Sequence, residues 1–300
     1  MIDPTAPGNR AAVRAGYAFV APALVLITVF FFLPVLGAFA LSLTDFDLYA
    51  VGDPGLARFV GGENYARLLH DPVFWQALRN TFYFVLVGGP LSVAAALGAA
   101  LLVNQRIGDR WKRFFRSVYF APVVTTLVAV AIVWRYLYHP RFGLINWALG
   151  LVGVGPVDWL GSVRWAMPAV ILLAVWKSFG YNMIILVAGL QSIPAELYEA
   201  ATLDGANAWQ RFRNVTLPQL APMMLFVSVI TMIGYFQLFA EPYVMTQGGP
   251  LRSTTSVVLY MYEEGFRWWR MGYAAAIAFV LFLVILAATL VQFRLQRRDA

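Results

Sequence analysis

The stretch LYEAATLDGANAWQRFRNVTLP, Leu197 to Pro218, lies between two long apolar segments and carries Glu199, Asp204, Arg211 and Arg213. It reads as two short helices broken at a glycine. Pro194 suits a first helical turn, Leu197, Ala200, Ala201 and Leu203 fall near helical spacing, and Gly205 takes the left-handed conformation that stops a helix at Asp204. Asn207, with Gln210 three residues on, makes a capping-box-like start to a second helix through Phe212. Pro218 marks the end of that helix before the next apolar segment. The residues leave two readings open, a rigid knob presented to something outside the bilayer and an ordinary solvated connection.

Outside this stretch the chain is written for lipid. Of its 300 residues 61% are hydrophobic and only 12% charged, with a mean hydropathy of +0.69, which is far from the balance of a soluble domain. Apolar runs recur at the length that crosses a hydrocarbon core as a helix, at residues 16–43, 78–103, 117–138, 165–190, 219–240 and 272–293. The fold class is therefore an all-α polytopic membrane protein of about six transmembrane helices. In domain terms, residues 1–15 are an N-terminal tail, 16–294 a six-helix domain with its polar loop at 191–218, and 295–300 a second tail. Ala38-Phe39-Ala40 has the look of a signal-peptide cleavage site, but the first apolar run exceeds a signal core in length and contains Pro22 and Pro34, so it reads as an uncleaved span.

Six spans place both termini on one face of the membrane, and the basic residues say which. On that face Arg10, Arg14, Arg106, Arg110, Lys112, Arg113, Arg116, Arg211, Arg213, Arg294, Arg297 and Arg298 meet only six acids, Asp3, Asp109, Glu196, Glu199, Asp204 and Asp299. The opposite face carries nine arginines and nine acids. The positive-inside rule then puts both termini and the polar hairpin in the cytoplasm.

Several chemistries are excluded or disfavoured. Cysteine is absent, which removes disulfides, thiolate catalysis and cysteine metal ligands. The two histidines, His70 and His139, fall in expected loops without partners at ligand spacing, so no metal is expected. The net charge of +7 is not gathered into a nucleic-acid-binding surface. A phosphate-binding GxxxxGK[ST] loop needs glycine before lysine, yet both lysines, Lys112 and Lys177, follow tryptophan. If ATP drives this protein, another chain hydrolyses it.

Polar groups in or near the fourth and fifth spans are candidates for a solute pathway, since lipid exposure of such groups is costly. They are Lys177, Asn182, Gln237 and Glu241, with Tyr181, Tyr235, Phe236 and Phe239 offering flat apolar faces to a sugar ring. Competing readings are that Lys177 bonds a neighbouring helix or snorkels, and that Glu241 sits at the interface. The aromatic and acidic segment MYEEGFRWWRMGY, Met261 to Tyr273, reads as an interfacial helix of the aromatic belt, with contact to an external protein as the alternative.

Glu199-Ala200-Ala201, three residues, Gly205, nine residues, then Val215-Thr216-Leu217-Pro218 resembles the EAA motif of binding-protein-dependent ABC importer permeases, with Val215 in place of the usual isoleucine. Phe142-Gly143-Leu144-Ile145-Asn146, Ala188 to Pro194, Asp204-Gly205-Ala206 and Thr246-Gln247-Gly248-Gly249-Pro250 look like its sugar-uptake branch. The resemblance implies a permease subunit in a bacterial or archaeal cytoplasmic membrane, forming half a pore for a sugar, oligosaccharide or sugar- or glycerol-phosphate-like solute. Its implied partners are a second related permease, two ATP-binding cassette subunits that hold ATP and magnesium, and an extracytoplasmic solute-binding protein. The chain itself would bind no cofactor and would not be an enzyme. Glu199, Ala200, Ala201, Asp204, Gly205, Leu217 and Pro218 would make the element that couples to the ATPases, with Glu199 paired to a basic residue there and Gly205 permitting the bend.

Two other classes compete. An ion- or proton-coupled secondary transporter needs carboxylates deep within its spans, and none lies near a span centre. A membrane enzyme needs a Ser/His/Asp, carboxylate-pair or metal constellation, and none is legible.

Overall fold

The computed structural model describes residues 7–105 and 108–296. Five helices are long and apolar enough to cross a membrane: Val13–Ser42, Pro72–Asn104, Ala166–Gln191, Ala208–Phe236 and Met271–Arg294. A further apolar segment is split into helices Asp109–Val124 and Leu127–Leu137, bent by 101°, and counted as one span this pair makes six. In chain order these are the first to sixth spans, the split pair being the third. Among the described residues the only extended pairing is an isolated bridge between Thr44 and Phe59. Asp3, Arg106, Arg297, Arg298 and Asp299, which entered the charge count, lie outside the described residues, as does most of the expected tail at 295–300.

The split corrects the expectation of one continuous span over residues 117–138. Pro122 withholds a backbone N–H inside the first half, and Val123, Val124, Thr125 and Thr126 form a β-branched run that disfavours helix. Thr125 leaves the helix with ψ 150° and its hydroxyl donates to the Pro122 carbonyl at 2.7 Å. The chain then restarts at Leu127.

Proline acts differently where a wide turn precedes it. The first span contains a π-helical turn, Thr28–Phe32, just before Pro34, and the hairpin leads into another, Phe212–Thr216, just before Pro218. In each case the N–H before the proline reaches back five residues, Leu33 to the Thr28 carbonyl and Leu217 to the Phe212 carbonyl. A wider turn makes room for the proline ring against the carbonyl four residues back, so the helix continues. This corrects the expected helix end at Pro218: Ala208 to Phe236 is one unbroken rod.

The described chain forms two bodies, residues 7–70 with 261–280 and residues 71–260 with 281–296. In the first, the segment after the first span is pinned by Asn64, whose amide donates to the carbonyls of Ser42 and Thr44 at 2.9 and 2.8 Å. The Arg58 backbone N–H, at 2.7 Å, and its guanidinium, at 2.9 Å, hold the Asp45 carboxyl below the usual carboxylate range. The short helix expected near Asn64 is present as Glu63–Leu69. Of the interfacial helix expected over Met261–Tyr273 only the first part is helical, the end of a helix that starts at Val257 and closes in a wide turn, Glu263–Arg267, before a bend into the sixth span; Glu264 is buried there against Arg270 at 3.1 Å.

In the second body the small face of the second span, Ala96, Ala99 and Ala100, packs in one cluster with Met183, Leu186, Val187 and Leu190 of the fourth and Leu220 and Val227 of the fifth. Without side chains beyond a methyl, these alanines let backbones approach where no hydrophobic effect between helices is available. Gly180 continues the theme, since a Cβ there would overlap the Tyr119 carbonyl oxygen of the third span. On the short helix Leu144–Leu151 before the fourth span, Asn146 uses its whole amide, donating to the carbonyls of Pro140 and Val157 and accepting from the Val157 N–H and the Trp159 indole.

Gly180→Val is expected to lower the unfolding free energy by about 3 kcal/mol through overpacking, whereas Gly234→Ala, at a glycine with open space around it, is expected to leave it unchanged or raise it slightly. Thermal unfolding of the purified variants checks this; equal midpoints would contradict the close approach of the third and fourth spans.

Candidate functional site

The hairpin closes on itself through local hydrogen bonds. Its first helix, Ala195–Leu203, starts after Pro194, which sits at the cap with ψ 135°, one residue before the helical turn expected for it. It ends in a full glycine cap: Gly205, at φ +79°, donates to the Thr202 carbonyl at 3.1 Å, and Ala206 donates to that of Ala201 at 2.9 Å. Two residues later the expected capping box is present, the Gln210 N–H on the Asn207 side chain at 2.9 Å and the Asn207 N–H on the Gln210 side chain at 2.8 Å. Tyr198 and Thr216 share a hydroxyl bond of 3.0 Å, and Arg211 donates to Thr202 at 3.1 Å, so the two helices are tied side to side.

Between them lies a cleft of about 450 Å³ that Ala200, Ala201, Asp204 and Gly205 line together. Glu199 is exposed and has no ion-pair partner among the described residues. The tip is also apolar, with Leu203 89% and Trp209 66% exposed. Leu217 and Pro218 lie beyond the wide turn on exposed positions of the fifth span. The structure thus brings four of the seven motif residues around one cleft and holds the other three at exposed positions.

Deeper in the spans, the expected pathway residues separate into distinct roles. Asn182 is buried and donates to Thr231 at 2.9 Å and to Ser92 at 3.3 Å. Ser92 and Ser178 are 3.0 Å apart, and Ser178 and Tyr235 2.9 Å. A chain of five side chains therefore joins the second, fourth and fifth spans. Gly88 belongs with it, since a Cβ there would sit 2.9 Å from the Tyr235 ring. Ser92, Ser178 and Thr231 were not among the sequence candidates. The signal that marks them is spacing: Gly88 and Ser92, Ser178 and Asn182, Thr231 and Tyr235 are each four residues apart and so share a helix face.

Lys177 reaches the break in the third span. Its ammonium donates to the carbonyls of Pro122 at 2.7 Å, Thr125 at 2.9 Å and Val123 at 3.3 Å. Those are the acceptors that a helix end leaves without partners, and a cation there also meets the negative end of the helix dipole. Phe236 is buried edge-on to Phe82 at 5.3 Å, and Phe239 stacks on Tyr243 at 5.2 Å. Tyr181 and Gln237 are exposed, and Glu241 lies on the short helix Ala240–Met245, which packs against Leu127–Leu137. No group of three or more metal-ligating residues occurs among the described residues.

A profile of the family described as binding-protein-dependent transport system inner membrane component matches residues 88–298. The lactose transport system permease protein LacF of Rhizobium radiobacter is 39% identical over 285 residues, covering 93% of this chain and 92% of that one. The probable ABC transporter permease protein YurN of Bacillus subtilis is 36% identical over 280 residues, 93% of this chain and 94% of that one. In fold, the chain is similar to one in the crystal structure of a bacterial alginate ABC transporter in complex with alginate pentasaccharide-bound periplasmic protein, with a TM-score of 0.78 at 23% identity over 95% of this chain and 94% of that one.

Lys177→Met is expected to destabilise the purified protein by about 2 kcal/mol, the scale of hydrogen bonds made by a charged group, with Lys177→Arg recovering part of the loss. Denaturation in detergent reads this out. Loss of transport with unchanged unfolding would instead assign Lys177 to the solute.

Proposed function

Because the chain belongs to the family of binding-protein-dependent transport system inner membrane components, we propose that it forms half of the pore through which an ATP-driven importer takes up a carbohydrate. The observation that carries the reading is the hairpin, a capped knob joined without a break to a membrane-spanning rod. The carbohydrate class is supported by the lactose permease relative and by the alginate transporter that shares the fold.

A rigid knob transmits a push that a flexible loop would absorb. Displacing it displaces the helix from Ala208 to Phe236, about 44 Å long at the standard rise. Thr231 and Tyr235 near its far end hold the buried polar chain, so movement at the knob is felt by the second and fourth spans. ATP and magnesium belong to two partner ATPase subunits. Their cleft receives the knob, and a basic residue in it pairs with the exposed Glu199. A second related permease completes the pore, and an extracytoplasmic binding protein delivers the solute. Both termini and the hairpin face the cytoplasm of a bacterial or archaeal cell. The secondary-transporter reading lacks its chemistry, because none of the six spans carries an Asp or Glu beyond Asp109 at the start of the third.

Glu199→Lys is expected to abolish ATP-dependent uptake in proteoliposomes holding the complete complex while the protein still inserts and assembles. Wild-type coupling in this variant would show the hairpin to be only a connection, and gradient-driven uptake by this chain alone, indifferent to ATP, would overturn the importer reading. Orientation is checked in the naturally cysteine-free chain. In intact cells Gly150→Cys is expected to react with a membrane-impermeant maleimide and Ala206→Cys to remain protected; the reverse pattern would invert the topology.

A further inference from the structure

A second cleft, of about 410 Å³, gathers three segments that are far apart in the chain and that the charge count places on the same, non-cytoplasmic face. The start of the second span contributes Gln76, Arg79 and Tyr83; the approach to the fourth contributes Arg164; the loop after Pro250 contributes Ser253. No acid lines it. Among the described residues neither Arg79 nor Arg164 has an ion-pair partner, and the Arg164 guanidinium lies over the Trp165 ring, 5.6 Å from its centroid. The acids closest in sequence are engaged elsewhere: Asp71 caps the second span and bonds Tyr260, and Asp158 closes the turn at Gly161. The Ser253 hydroxyl is buried with no hydrogen-bond partner among the described residues.

The wall that carries Ser253 is held in an unfavourable conformation. Gln247, Leu251 and Arg252 have φ of +49°, +48° and +59°, a region that costs non-glycine residues about 1 kcal/mol or more each. Gln76 and Asn80 pin this turn by donating to the carbonyls of Leu251 at 3.1 Å, Arg252 at 2.8 Å and Thr255 at 3.0 Å. Strain that is maintained by dedicated side chains, beside two unneutralised guanidinium groups and an orphan hydroxyl, marks a surface built for a ligand rather than for packing.

Resting on the importer reading, we infer that this cleft binds an acidic sugar, its carboxylate held by Arg79 and Arg164 and a ring hydroxyl by the exposed Tyr83. The planar guanidinium fork matches a carboxylate in two parallel hydrogen bonds. The volume lies within the range of small-molecule sites, and Met167 and Pro168 supply the apolar surface on which a sugar ring rests.

The test uses the complete transporter, without its binding protein, in phosphatidylcholine nanodiscs titrated with sodium glucuronate and with glucose by calorimetry. Saturable binding of glucuronate and none of glucose is expected, with affinity falling about tenfold or more in Arg79→Gln/Arg164→Gln. Equal responses to both sugars, or equal glucuronate binding by the variant, would overturn the inference. So would abolition of glucuronate binding by added phosphatidylglycerol, which would assign the cleft to a lipid headgroup. A variant that loses stimulation of ATP hydrolysis by the binding protein while binding glucuronate normally would turn the cleft into a docking surface for that protein's acids and equally overturn the inference. If the double variant does not assemble, Arg164→Gln alone, at an exposed position, carries the same comparison. ATP-driven uptake of a neutral sugar alongside any of these failures leaves the importer reading standing.

Discussion

In lipid a backbone carbonyl has no water to turn to, so a helix that breaks within the membrane must find its acceptors a donor inside the protein. The third span breaks after Val124, and Lys177 answers from the fourth with three hydrogen bonds. Much of the second body follows from that arrangement. A lysine is tolerated in the fourth span because its charge is spent on the break, and Gly180 lets the third span come close enough for the reach. The second half of the broken span, set free to turn by 101°, in turn packs against the short helix that carries Glu241.

Proline inside a helix therefore has two outcomes in this chain, continuation, which Pro22, Pro90 and Pro222 show without a wide turn, and termination, and the difference is local. Pro34 and Pro218 follow wide turns whose five-residue hydrogen bonds accommodate the ring, and their helices continue. Pro122 is followed by four β-branched residues and the helix ends. Ring strain alone does not decide between bending and breaking; the residues that follow decide whether a helix is worth resuming at once.

What the sequence disclosed, and what it withheld, divides along the same line of locality. The hairpin was legible almost residue by residue, because a glycine cap and a capping box depend on neighbours within a few positions. The six apolar runs were legible because length and hydropathy are properties of a window. The broken third span was not, since averaging over residues 117–138 hides a proline followed by a β-branched run. The pathway residues were hardest. Asn182 stood out as a polar group in an apolar helix and Tyr235 as an aromatic face for a sugar ring, but their partners Ser92, Ser178 and Thr231 become visible only when three helices are brought together. Lys177 was singled out for its charge, and the structure spends that charge on backbone, the alternative that sequence could name but not choose.

The self-contained closure of the hairpin has a consequence for how such chains diverge. The cap and side-chain hydrogen bonds that tie the knob's two helices together run between residues 198 and 216, and none reaches the faces that line the clefts at the opposite end of the spans. On the importer reading proposed above, substitutions that alter what is recognised there leave the knob's shape untouched, and the two halves of the job are heritable separately: a lineage can change its diet while keeping its engine mount.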